Sequence, residues 1–423
     1  MKFLIIAPSW PKLPGQTTFN LPSLGPIQAA ACVPAEVATT VVNENVQPVD
    51  FETDADLIGM SVLLTCQAPR AYEIAAEFHK RGKTVVMGGL HPSLCPDEAA
   101  AHVDALVLGE GEGLIDKMIE DFQNGRLRKV YSREGFPDIT GLPQPRRDLY
   151  DKKAHYTYKG VEMVDLVQTS RGCRFNCFPC CVPYLGGRQH RIRPWDQVEA
   201  DLAAAQKLVF IVDNSIEQNR QYEEQLFRNL KGLGKRWISH PISPQPRLLE
   251  LARDSGCWYV YHAVFSISDK IKDRIKMYHD HGIGVEGTIM FGLDHHDEDF
   301  IRRMIDFLLT IDLDLAEFTV LTPFPHTQVW DQLEEEGRIF DRDWKHYNAA
   351  QVVFKPRLIS PDRLQDLYHE AWQAFYGKEP QGLRMAKLFT KVMHDLPERR
   401  RRREPVGPLA FKPALRTGRE NVD

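Results

Sequence analysis

Short apolar, often β-branched runs alternate with helix-patterned segments along most of this 423-residue chain, and few architectures accept that alternation. Lys2 to Ala7, Val37 to Val42, Leu57 to Leu63, Thr84 to Met87 and Ala105 to Leu108 read as buried strands. Between them, Pro26 to Val33 has helical composition, Pro69 to Lys80 repeats Ala71, Ile74, Ala75 and Phe78 at helical spacing, and Pro96 to Ala101 opens on acidic residues. Strands separated by helices pair in parallel, because the crossover returns each strand to the same sheet in the same direction. Residues 1–130 are therefore predicted to form an α/β domain with a doubly wound parallel sheet. Such sheets meet ligands at the carboxyl ends of their strands.

From 131 to 160 the composition turns to proline, arginine and aspartate, as in GFPDITGLPQPRRDLY, and reads as an ordered linker. Beyond it, Met163 to Gln168, Leu208 to Val212, Trp237 to Ser239, Trp258 to Ala263, Val285 to Phe291 and Ala316 to Leu321 are strand candidates. Helices are expected at Tyr222 to Leu233, Pro246 to Ser255 and Phe300 to Ile311. Repeated β/α units over 161–335 predict a partial or full β/α barrel with its functional residues at the carboxyl ends of the strands. A helical C-terminal extension is expected over 336–395. The tail at 396–423, with the run Arg399 to Arg403, reads as a solvated, mobile end, with peripheral membrane contact as the alternative. A net charge of -5 gives no overall attraction to nucleic acid, and the apolar run before Pro8 is too short for a signal segment. A cytoplasmic enzyme is the expectation.

The run RGCRFNCFPCC places Cys173, Cys177 and Cys180 directly after a strand candidate. Cysteine thiolates are the usual ligands of iron–sulfur clusters, and three of them on a cubane of four irons leave one iron open to a substrate or cofactor. Half of a zinc site would use the same residues, but the second CxxC pair that it needs is missing. Structural thiols or a disulfide are the remaining readings. Cys181 should point away from Cys180 as a spare thiol, and Cys32, Cys66, Cys95 and Cys257 stand singly like ordinary small buried residues.

Three loops follow strands of the first domain: Ser61 to Thr65, Gly88 to Pro92, and Gly109 to Glu112. Glycines there let the backbone approach a large ligand, although a plain turn explains each loop taken alone. His91 by itself reads as a loop hydrogen-bonder or a ligand.

Together these residues resemble the cobalamin-binding radical SAM enzymes, from Met1 to about Tyr376. TSRGCRFNC is similar to that family's cluster loop, and MFGLDHHDEDF and LTPFPHTQVWDQLEEEGRI to its later barrel strands and the segment after them. GMSVLLT, VVMGGLHP and LVLGEGE look like its three cobalamin loops. The resemblance implies that Cys173, Cys177 and Cys180 hold a [4Fe-4S] cluster whose open iron binds S-adenosyl-L-methionine. It implies that Ser61, Thr65, Gly88, Gly89, His91, Gly109 and Glu110 lie beside cobalamin. Phe178 is expected by the adenine, since Pro179 occupies the usual aromatic position before the third cysteine. Asp213 and Asn214 stand where relatives often have paired aspartates, and YHAVFSIS replaces a segment that usually carries a glutamate. No DxHxxG sequence supplies a histidine to the lower face of cobalt.

The implied activity is methyl transfer to an unactivated carbon through a 5′-deoxyadenosyl radical, on a small-molecule or lipid-like substrate. An external electron donor such as flavodoxin or ferredoxin is implied with it. A radical SAM cyclase, oxidase or rearrangement enzyme, and a non-catalytic cobalamin or redox sensor, are the alternatives. DHHDED reads as a helix-capping turn, with a metal at His295 and His296 as the alternative, and WDQLEEEGRIFDRDWKHY as a lid or packing surface beside the barrel.

Overall fold

The computed structural model describes residues 1–10, 21–158, 161–175 and 177–394; the arginine run and the rest of the 396–423 tail lie outside the described residues. Two six-stranded parallel sheets organise the chain. The first contains β1 (Lys2–Ala7), β2 (Ala38–Asn43), β3 (Leu57–Ser61), β4 (Thr84–Gly88), β5 (Ala105–Val107) and β6 (Val130–Tyr131), in the order β2-β1-β3-β4-β5-β6. Side chains alternate between its faces. Phe3, Ile5, Val41, Leu57 and Val86 pack on one side with Ile27 and Met118, while Leu4, Ile6, Ile58, Met60 and Met87 pack on the other with Ala71, Ile74 and Phe78. Burial on both faces explains why these strands read as continuous apolar runs.

The order reverses between β1 and β3, which opens a crevice at their carboxyl ends. The sixth strand straddles the expected start of the linker. It has two residues, too few to show a period, and is held by pairing with β5 and by the Tyr131 hydroxyl donating to Asp121 at 3.1 Å.

A short hairpin of β7 (Thr157–Tyr158) and β8 (Val161–Glu162) leads into the second sheet. Its strands are β9 (Asp165–Val167), β12 (Leu208–Ile211), β13 (Arg236–Ser239), β14 (Cys257–Ala263), β15 (Gly284–Phe291) and β16 (Leu315–Val320), each parallel to its neighbour in chain order. Its two edge strands do not pair, so the barrel is partial. Between β9 and β12 an antiparallel pair, β10 (Ser170–Arg171) and β11 (Arg191–Ile192), closes the cysteine loop. Within the 131–160 segment, Arg147 pairs with Asp165 and Asp201 at 2.8 and 2.5 Å in a buried cluster.

Val209, Ile211, Trp237, Val260, Val285 and Phe318 face the surrounding helices in the main core. The inner wall is different. Leu388, from the last described helix Gln381–His394, packs there with Phe210, Ile238 and Tyr259, and a side chain on Gly284 would collide with it. Gly284 opens β15, so this helix plugs the amino end of the partial barrel and leaves the carboxyl ends for function.

Candidate functional site

The loops after β3, β4 and β5 are stitched into one surface by backbone geometry. Val62 N–H donates to Gly88 C=O at 2.9 Å, and His91 N–H to Val62 C=O at 3.3 Å. Ser93 Oγ donates to Gly89 C=O at 2.7 Å and accepts from Gly109 N–H at 2.9 Å. Gly89 has φ +118°, and any Cβ there would overlap the Val62 carbonyl oxygen, so this close approach requires glycine. Ser61 faces the first helix near Gly25.

Thr65 and His91 are fully buried, and Thr65 Oγ1 and His91 Nδ1 have no hydrogen-bond partner among the described residues. The Tyr72 hydroxyl donates to Glu98 at 2.9 Å and lies 2.9 Å from His91 Nε2, so Nε2 is the donor to it, while Nδ1 is left without a partner. Buried polar atoms without partners are costly unless a ligand meets them. Glycine-lined backbone with two such atoms fits a corrinoid rich in amide groups.

On the second sheet, Asp213 supports the cysteine loop from beneath. It is fully buried and accepts from Thr169 N–H and Oγ1 at 2.6 Å each, from Ser170 Oγ at 2.5 Å and from the Tyr222 hydroxyl at 3.1 Å. Asn214 Oδ1 accepts from Gly172 N–H at 3.0 Å. Gln218, also fully buried, accepts from Arg174 N–H at 3.0 Å and donates to Gly172 C=O at 2.9 Å. Thr169, Ser170, Gly172 and Arg174 are thus positioned by the turn after β12. Gly172, at φ +83°, admits no Cβ because the Gln189 carbonyl occupies that space.

Of the three candidate ligands, Cys173 is half-buried, and Cys177 and Cys180 are exposed. Partial desolvation, and then the charge of the neighbouring thiols, push Cys173 and Cys180 above the ordinary thiol range. The three are near enough to feel one another, yet among the described residues no three metal-ligating side chains already converge on an ion position. The donor chemistry fits a cluster that draws its thiolates together on binding.

Arginines join the two surfaces. Arg171 Nη1 donates to Glu110 and Nη2 to Glu112, each at 2.7 Å, and Arg191 also pairs with Glu110. The carboxylate of Glu110 is therefore taken up between the loops. Nothing in residue spacing pointed to Gln218 or Arg191, and Glu112 stood out only as the end of the loop after β5. Arg171 lay inside the TSRGC motif, but its partners are about 60 residues away in sequence.

Inside the partial barrel, Tyr259, Tyr261, Glu286 and Glu317 share the inner wall. Burial, then the charge of Glu317, push the Glu286 carboxyl up to about 8, against stabilisation of its charge by the two tyrosines. In the DHHDED turn, Asp297 caps the helix Glu298–Thr310 by accepting from Phe300 N–H at 2.7 Å, and His296 is buried against the Phe300 ring. The WDQLEEEGRIFDRDWKHY segment packs farther afield than expected: the Trp344 indole reaches Glu98 of the first domain.

Residues 37–118 match the model of the B12 binding domain, and 167–308 that of the Radical SAM superfamily. The chain belongs to the cobalamin-binding radical SAM enzymes. The cofactor set that these two domains bring is cobalamin, a [4Fe-4S] cluster and S-adenosyl-L-methionine. Residues 327–415 match a domain of unknown function, DUF4070. The chain is 29% identical over 344 residues to bacteriochlorophyllide d C-8(2)-methyltransferase of Chlorobaculum tepidum, covering 74% of this chain and 76% of that one. It is 25% identical to the hopanoid C-2 methylase of Rhodopseudomonas palustris, covering 83% and 71%. Its fold is similar to that of the radical S-adenosylmethionine methyltransferase TsrM from Kitasatospora setae with cobalamin and [4Fe-4S] cluster bound, at a TM-score of 0.61 and 16% identity over 79% of this chain and 78% of TsrM. Among the described residues no helix is long and apolar enough to cross a membrane.

Proposed function

We propose that this enzyme methylates an unactivated carbon of a small, largely apolar substrate held between the two strand-end surfaces. The observation that carries this reading is the ion-paired junction of the loop after β5 with the strand pair bracketing the cysteines, since it brings a cobalamin surface and a cluster loop to one cleft. The relatives named above as bacteriochlorophyllide and hopanoid methylases support methyl transfer. Bound there, the cluster with S-adenosyl-L-methionine supplies a carbon-centred radical and cobalamin the methyl group.

The chain's own residues hold and orient. Cys173, Cys177 and Cys180 are assigned as thiolate ligands. Ser61, Thr65, Gly88, Gly89, His91 and Gly109 are assigned to the corrinoid cradle, with Thr65 Oγ1 and His91 Nδ1 as its unpartnered polar atoms. Phe178, exposed in the cysteine loop, offers a ring to adenine. Asp213 and Glu110 act one step back, by holding the loops that touch cofactor. Leu63, Phe175, Phe265 and Ile267 are exposed apolar side chains in loops after strands, Tyr184 is exposed on the short helix Val182–Gly186, and Phe265 is 67% exposed; this supports a substrate with a broad apolar face.

Exposure of Cys177 and Cys180 supports electron delivery by a flavodoxin- or ferredoxin-type protein, and eight free cysteines support a reducing, cytoplasmic setting. Peripheral membrane contact rests on the basic tail outside the described residues.

The test is anaerobic production with hydroxocobalamin, followed by reduction in the presence of S-adenosyl-L-methionine. The wild-type chain should retain about one cobalamin and release 5′-deoxyadenosine, and Cys177→Ala should abolish the release. Full turnover by that variant sinks the cluster assignment. A product heavier by one methylene unit identifies methyl transfer, whereas an unchanged or oxidised skeleton sinks it.

A further inference from the structure

We propose that Glu110 and Glu112 are positioning residues that couple the two cofactor sites, so that closing the cysteine loop and seating the loop beside cobalamin are one event. The inference rests on both cofactors binding as assigned above. The register of β10 and β11 sets Arg171 directly opposite Arg191, a like-charge pair that opposes strand pairing on its own. Both guanidinium groups are nearly buried, with side-chain exposures of 12% and 10%.

The charge that balances them comes from the other sheet. Glu110 Oε2 accepts from Arg171 Nη1 at 2.7 Å and from Arg191 Nη1 at 3.0 Å, its Oε1 pairs with Arg191 Nη2, and Glu112 Oε1 accepts from Arg171 Nη2 at 2.7 Å. Two cations and two anions therefore close the neck of the loop that carries Cys173, Cys177 and Cys180. Arg171 Nε and Arg191 Nη2 also bind Gln168 Oε1 and Gly186 C=O at 2.7 and 2.9 Å, so the arginines cannot leave the glutamates without loosening the neck. The same acidic loop begins at Gly109, which Ser93 ties to Gly89. Strain on either side passes to the other through a buried ion pair, where loss of one partner strands the opposite charge.

Hydroxocobalamin is titrated into the full-length chain with and without a reconstituted cluster, and binding is read from the cobalamin absorption. In wild type the Kd should be about tenfold lower with the cluster in place. Glu110→Gln with Glu112→Gln should bring the two Kd values together. Because that variant leaves two arginines unbalanced, Glu110→Gln with Arg191→Gln removes one charge of each sign. It should keep full iron content yet lower the ratio to about threefold. Asp54→Asn, in an exposed ion pair with Lys2, should keep the wild-type ratio. Equal Kd values in wild type, or an unchanged ratio in both variants with both cofactors at full occupancy, overturns the coupling. Failure of either cofactor to bind at all overturns the proposed function, and the coupling with it.

Discussion

Trp344 donates its indole N–H to Glu98, with 2.8 and 2.9 Å to the two carboxylate oxygens, and so fastens the segment after the barrel to the first domain. Glu98 also accepts from Tyr72, and Tyr72 meets His91 beside the glycine loop. The His91 ring, whose Nε2 lies 3.7 Å away, and hydrogen bonds from Trp344 and Tyr72 hold the Glu98 carboxyl down at about 2. The segment after the barrel therefore braces the back of the candidate corrinoid cradle.

Trp344→Phe keeps the ring but removes the donor. It should lower stability by about 1.5–3 kcal/mol, the cost of a hydrogen bond to a charged acceptor, in urea unfolding monitored by circular dichroism. A change under about 0.3 kcal/mol would show that the Glu98 contact carries no weight.

Gly89→Ala and Gly109→Ala separate conformational strain from collision. Both glycines have positive φ, but only Gly89 has a carbonyl where the new Cβ must go. Gly109→Ala should cost about 1 kcal/mol and retain cobalamin, while Gly89→Ala should lose most of it through gel filtration. Equal retention by the two would remove the close approach of the β3 and β4 loops from the argument.

Asp213→Asn leaves one acceptor oxygen where a carboxylate serves four donors. Each lost hydrogen bond to a charged group is worth about 1.5–3 kcal/mol, which falls on the cysteine loop. Iron content after reconstitution, and 5′-deoxyadenosine release with it, should drop well below wild type with the far-ultraviolet spectrum unchanged. Normal iron content would assign the support of that loop elsewhere.

Glu286 predicts a pH dependence of stability. Its folded value is raised to about 8 from the usual carboxyl range, so the folded chain holds a proton that the unfolded chain has released above about pH 4.5. Burial of the group opposes folding increasingly as pH rises from about 4.5, and the full cost is reached above about 8. Wild type should be more stable at pH 6 than at pH 9 in denaturant titrations, and Glu286→Gln should flatten that difference. A slope that survives the substitution would place the responsible proton on another group.

Much of the architecture was legible because parallel strands covered on both faces write long apolar runs, and helices between them repeat at a different spacing. β1 to β5 and the strands from β12 to β16 lie within a few residues of their expected bounds. The short strands β6, β10 and β11 were not legible. Each has two residues and exists because a partner strand is present, so no local pattern announces it.

The candidate site divides in the same way. Cysteine spacing and the glycine loops are local statements, since ligand geometry and positive φ act over a few consecutive residues, and these the sequence determined by itself. Arg171 meeting Glu110 and Glu112, Gln218 lying under Gly172 and Trp344 reaching Glu98 join residues from different strands and domains. Only the tertiary structure decided them, because an ion pair or a buried hydrogen bond depends on where two chain segments meet in space, and separation along the chain carries no record of that meeting.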